Sequence, residues 1–205
     1  MSKEFPKIKF CGLKSERDIG YANEIMPDYV GFVFAKKSRR FVDRNTAMRL
    51  RAALADGITA VGVFVNEKED VIASYLNEGV IDVAQLHGDE NDAYIENLRS
   101  LTDKEIIKAF RISSCEDVKN AVTSRADHIL LDAGSGDGMV FDWSLLKSVR
   151  RPYFLAGGLS VENVTGAVEM LHPFAVDVSS GIETDGVKDI NKMRAFAYQI
   201  REKLQ

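Results

Sequence analysis

The chain has 205 residues, and 27 Lys plus Arg against 31 Asp plus Glu leave a net charge of −4. That balance speaks against a nucleic-acid partner, which needs a strongly basic face, and 45% hydrophobic residues with 28% charged exclude wholesale disorder. No apolar run approaches the roughly 20 residues that span a bilayer, and the N-terminus lacks the apolar stretch of a signal peptide, so a soluble, cytoplasmic protein is expected.

Eight short runs rich in β-branched and aromatic residues recur along the chain, each followed by a turn signal and a helically spaced apolar stripe. They are Ile8 to Cys11, Tyr29 to Phe34, Thr59 to Val65, Asp82 to Leu86, Glu105 to Ala109, His128 to Leu131, Tyr153 to Ala156 and Ala175 to Val178. Several are continuous rather than alternating, as in YVGFVF and AVGVFV, the pattern of strands buried on both faces. Between them, Asn66 with Glu69 three residues on predicts a helix start, followed by Val71, Ile72, Tyr75 and Leu76 on one face. Ser160 predicts another start, with Val161, Val164, Ala167, Val168 and Leu171 forming its stripe and Pro173 ending it. The last helix carries Ile190, Met193, Phe196, Ala197 and Ile200.

Eight strand-helix units in about 200 residues leave short connections, and right-handed crossovers then close the sheet, giving an α/β, single-domain (βα)8 TIM barrel over 1–205. An open doubly wound sheet is the rival. It would need a nucleotide fingerprint, but neither GxGxxG after the first strand nor GxxxxGK[ST] is present.

In such a barrel the carboxyl ends of the strands meet at one mouth. Cys11, Arg40, His87, Asp132 and Asp177 fall there. Gly157-Gly158 and Ser180-Gly181 follow the last two strands, where backbone amides and a helix N-terminus can cradle a phosphate. Cys11 and Asp132 are the candidate base and acid, the acid requiring a raised pKa. Arg40, or Arg39 in a shifted register, has the fork to hold a carboxylate. His87 suits either a structural hydrogen bond or chemistry, and Asp177 either orients a neighbour or binds a sugar hydroxyl. Cys11 and Cys115 are too far apart in sequence for a disulfide framework, and His87, His128 and His172 lack ligand spacing, so no metal is expected.

With these motifs in place, the chain resembles the phosphoribosylanthranilate isomerase family of tryptophan biosynthesis. The matching strings are KIKFCGLKSERD, VGFVFAKKSRRFV, VGVFVNE, QLHGDE, ILLDAGSGDGMVFDW, LAGGLSVENV and AVDVSSGIETDGVKD. The resemblance implies a barrel that performs an Amadori rearrangement on a small phosphosugar-anthranilate substrate without cofactor or metal, as a monomer or homodimer. It matches Cys11 to the family's general base, Asp132 to its acid, Arg40 to the arginine on the anthranilate carboxylate, and Gly157, Gly158, Ser180 and Gly181 to its phosphate cradle. Two departures stand out. The loop from Gly134 to Val140 replaces the usual GGTGKT pattern, putting Asp137 and Met139 where a hydroxyl residue and a lysine are common, and Lys36 stands where a proline is common. The rival readings are the related sugar isomerase of histidine biosynthesis, which has a carboxylate in place of Cys11, a Schiff-base aldolase using Lys108, and a noncatalytic phosphoribosyl-ligand binder.

Overall fold

Eight parallel strands close on themselves in chain order, β1 (Lys7–Cys11), β2 (Tyr29–Val33), β3 (Thr59–Phe64), β4 (Val83–Leu86), β5 (Ile106–Arg111), β6 (His128–Asp132), β7 (Tyr153–Ala156) and β8 (Ala175–Val178). They belong to a computed structural model that describes residues 5–134 and 143–203. The seam is the pairing of β1 with β8, which sets Lys9 opposite Asp177. Each predicted strand is present with its ends moved by no more than two residues, and β7 and β8 have the predicted limits.

Because strand side chains alternate between faces, one set fills the barrel and the other meets the helices. Tyr29, Val61, Val83, Ile107, Ala109, Leu130, Phe154, Ala156 and Ala175 pack inside. The outer set, including Ile8, Phe10, Val30, Phe32 and Val176, joins the helical stripes in a second, larger core. At the amino-terminal end of the strands Tyr29, Phe154, Phe174 and His128 pack ring against ring, with Lys7 over Tyr29 and Phe174. That end is filled, so open space is left at the carboxyl ends.

The helices among the described residues are α1 (Glu16–Ile25), α2 (Arg44–Ala53), α3 (Glu69–Asn77), α4 (Asp92–Leu101), α5 (Cys115–Thr123), α6 (Val164–Leu171) and α7 (Ile190–Arg201). Three expectations need correction. After β6 the described residues hold a 3-10 turn, Trp143–Leu146, in place of a full helix. The α3 start is capped by Lys68 without a side-chain hydrogen bond, because Asn66 adopts φ 51° and its Oδ1 instead accepts from the Asp89 amide. Helix α6 begins at Val164 rather than after Ser160, since Asn163 folds its side chain onto the Ser160 N–H and the Gly158 carbonyl and closes a turn first.

One element was not anticipated. Beyond β8 the chain makes a small antiparallel hairpin, β9 (Glu183–Thr184) and β10 (Val187–Lys188). Its tip, Asp185-Gly186, has positive φ at both residues, as a type I′ turn requires. No helix among the described residues is long and apolar enough to cross a membrane.

Candidate active site

The open end of the barrel holds a cavity of about 780 Å³, and Cys11, Arg40, His87, Asp132, Gly157, Gly158, Asp177 and Ser180 all line it. All of the predicted site residues except Gly181 therefore face one space, and Gly181 stands directly behind it. A parallel bridge joins Ser160 to Gly181, drawing the loops after β7 and β8 together. A Cβ at Gly181 would lie 2.0 Å from the Leu159 carbonyl oxygen, so a side chain there would force the two loops apart. Asn163, just ahead of α6, and Trp143 add to the wall. The atypical loop falls outside the described residues from Ser135 onward.

Cys11 ends β1, and two residues earlier on the same face Lys9 is fully buried, its Nζ donating to Asp177 Oδ1 at 3.0 Å. Apolar neighbours on both sides make Lys9 inconspicuous in KIKFC, yet it places a cation below the thiol. Burial pushes the Cys11 thiol above its ordinary value; Lys9 pulls it back, Asp177 adds to the rise and Lys188 opposes it. The net direction is upward. The cations moderate the cost of a thiolate without removing it, and they come from Lys9 and Lys188.

Asp132 ends β6. Burial pushes its carboxyl up, but the close approach of His87, a hydrogen bond from the Gly134 N–H and the charge of Arg111 outweigh it and hold Asp132 below the ordinary carboxylate range. This direction is opposite to the raised pKa the sequence reading asks for. The partners responsible come from β4, β5 and the β6 loop, which no local pattern announces. His87 Nε2 lies 3.6 Å from Asp132 Oδ2, and its Nδ1 is 2.9 Å from Gln85 Nε2.

Arg40 lines the cavity while Arg39 is largely exposed. The Arg40 fork already holds a carboxylate from the hairpin: Nε donates to Glu183 Oε1 at 2.6 Å and Nη2 to Oε2 at 2.8 Å. Arg39 and Lys188 bind the same carboxylate at 2.9 and 2.8 Å. Burial raises the Glu183 pKa, but the bonds and charges of Arg40 and Lys188 prevail and set it at about 2. Lys188 also donates to the Ser179 carbonyl oxygen at 2.9 Å, and Ser179 Oγ donates to the Cys11 carbonyl oxygen at 3.0 Å. Lys9, Glu183 and Lys188 were missed from sequence; only the Asp-Gly hairpin signal beside the last two was there to be used.

Lys108 points the other way. It lies between the inward Ile107 and Ala109, and its ammonium is bound by Glu90 at 2.9 Å and the Gly88 carbonyl at 2.6 Å. A Schiff-base role at the mouth is thereby overturned. Cys115 is an exposed free thiol at the start of α5.

A closed eight-stranded barrel with a thiol, a carboxylate and an arginine converging at its carboxyl end defines the class, an α/β-barrel enzyme site for a small polar substrate. The family described as N-(5'-phosphoribosyl)anthranilate (PRA) isomerase matches residues 8–199. The chain is 48% identical to the N-(5'-phosphoribosyl)anthranilate isomerase of Endomicrobium trichonymphae over 193 residues, 92% of this chain and 94% of that one. It superposes on the crystal structure of phosphoribosyl anthranilate isomerase from Thermotoga maritima with a TM-score of 0.87 at 36% identity, covering 95% of this chain and 98% of that one. A further match, TM-score 0.85 at 35% identity with 95% and 97% covered, is the isomerase in complex with reduced 1-(o-carboxyphenylamino)-1-deoxyribulose 5-phosphate. The chain belongs to the phosphoribosylanthranilate isomerase family.

Proposed function

We propose that this chain converts N-(5'-phosphoribosyl)anthranilate into 1-(2-carboxyphenylamino)-1-deoxyribulose 5-phosphate, with Asp132 as general acid and Cys11 as general base. The observation that carries the reading is the opening of both groups onto one cavity that Arg40, Gly157, Gly158 and Ser180 also line. The phosphate sits at the loops after β7 and β8, and the anthranilate carboxylate lies toward Arg40. Asp132 protonates the furanose ring oxygen and the ring opens to an iminium. Cys11 as thiolate then removes the C2′ proton, whose acidity the iminium raises, leaving an enolamine. The ketone forms as C1′ gains a proton and the C2′ hydroxyl loses one.

The pKa directions give this reaction a specific charge state. Burial favours a neutral Cys11, and the His87 and Gly134 contacts favour an ionised Asp132. The reactive arrangement, thiolate with carboxylic acid, is therefore disfavoured relative to thiol with carboxylate. A reducing cytoplasm suits a mechanism that depends on a free Cys11 thiol.

The test follows the fluorescence of freshly generated N-(5'-phosphoribosyl)anthranilate with wild type, Cys11→Ser and Asp132→Asn. Rapid loss with wild type and a drop of at least about 10²-fold in each variant is expected. A wild type that binds the substrate without turning it over would replace the isomerase by a binding protein.

A further inference from the structure

Arg40 presents two edges. Its Nε and Nη2 edge is committed to Glu183 by bonds of 2.6 and 2.8 Å, which leaves the Nη1 and Nη2 edge with donors to spare. Glu183 is itself held from three sides, by Arg39, Arg40 and Lys188, and its side chain is only 4% exposed. Three cations around one carboxylate leave the cluster net positive, and Lys188 pins the hairpin to Ser179 in the cavity wall. Such a cluster fixes a guanidinium in one orientation while keeping it attractive to a second carboxylate.

On that geometry, and resting on the isomerase reading above, we propose that Glu183 is a positioning residue: through Arg40 the β9–β10 hairpin sets recognition of the carboxylate on the substrate's aromatic ring. Glu183 touches no reacting atom. It holds the inner edge of Arg40 so that the outer edge meets the carboxylate without a search over rotamers, and a long, rotamer-rich side chain is thereby ordered before binding.

The experiment compares two ligands by calorimetry, reduced 1-(o-carboxyphenylamino)-1-deoxyribulose 5-phosphate and the same compound made from aniline, which lacks the carboxylate. Wild type should prefer the carboxylate ligand, and Glu183→Gln should weaken that ligand by ~10- to 100-fold while changing the aniline ligand by less than about threefold. Glu183→Asp, which keeps the charge on a shorter stem, should fall between. Steady-state rates on the two matching substrates should show the same split, in KM more than in kcat. Equal weakening of both ligands would make Glu183 a general structural residue, and tighter binding of the carboxylate ligand by Glu183→Gln would make it a competitor for Arg40; either result overturns the proposal, as does a wild type indifferent to the carboxylate. A wild type that discriminates the two ligands yet turns over neither substrate would refute the isomerase reading and leave the role of Glu183 supported.

Discussion

Replacing Lys9 by Met tests how the barrel tolerates a charge beneath its thiol. Lys9 Nζ and Asp177 Oδ1 are 3.0 Å apart, with side chains 0% and 8% exposed. At an effective dielectric near 20 that separation corresponds to about 5–6 kcal/mol of attraction, most of it offset by the cost of desolvating two ions, so the intact pair contributes little net stability. Breaking it is another matter. Lys9→Met leaves Asp177 buried and unpaired, which should cost about 3–5 kcal/mol, a large share of the roughly 5–15 kcal/mol that holds a domain together. Lys9→Met/Asp177→Leu fills the space without charge and should recover most of the loss. Urea unfolding of the two variants measures this. In a Cys115→Ser background, the rate of iodoacetamide alkylation at pH 8 reports the thiol at the same time: it should fall in Lys9→Met, which loses the cation that opposes burial, and stand between that variant and wild type in the double variant, which also loses the anion. Equal stability of the single and double variants, or alkylation rates indifferent to Lys9, would refute the reasoning.

Gly12 holds φ 81°, and a Cβ there would lie 2.2 Å from Arg40 Cδ; Gly12→Ala should cost about 1–2 kcal/mol in backbone strain and raise KM for the anthranilate substrate, and wild-type kinetics would count against the placement of Arg40. Because the Asp132 carboxyl is held low and the Cys11 thiol high, kcat/KM should form a plateau, falling only below the ordinary carboxylate range and above the ordinary thiol range. A limb near neutrality would contradict it. The Glu183 pKa, lowered from 4.5 to about 2, contributes stability that is present above pH 4.5 and is lost as pH falls toward 2. The stability gap between wild type and Glu183→Gln, on the order of 1–2 kcal/mol once screening is allowed for, should therefore shrink between pH 6 and pH 3 in urea titrations. A constant gap would separate the stability of the hairpin from this charge.

The barrel was legible because its strands are unbroken apolar strings and its helices carry apolar stripes, signals that survive without knowledge of the partner. The starts of α3 and α6 were not, since Asn66 and Asn163 spend their side chains on the Asp89 amide and on Ser160 and Gly158. These contacts compete with the cap role that the residue types favour. Cys11, Asp132 and the Gly-Gly and Ser-Gly turns stood out as polar residues at strand ends. What stayed hidden was their electrostatic setting. Lys9 with Asp177, and Arg40 with Glu183, are 168 and 143 residues apart, and the direction of the Asp132 shift depends on His87, two strands away.

The seam between β1 and β8 ties Asp177 of the last strand, and Ser179 just beyond it, to Lys9 and Cys11. The surroundings of the thiol consequently come into being only when the ring closes. A nascent chain that has emerged through β6 already contains Cys11, Lys9, Asp132 and His87, but not Asp177 and Ser179, the partners of Lys9 and of the Cys11 carbonyl. Long-range closure of this kind is slow compared with local helix formation. The seam contacts around Cys11 therefore depend on docking of the eighth strand, while the thiol itself faces the open cavity.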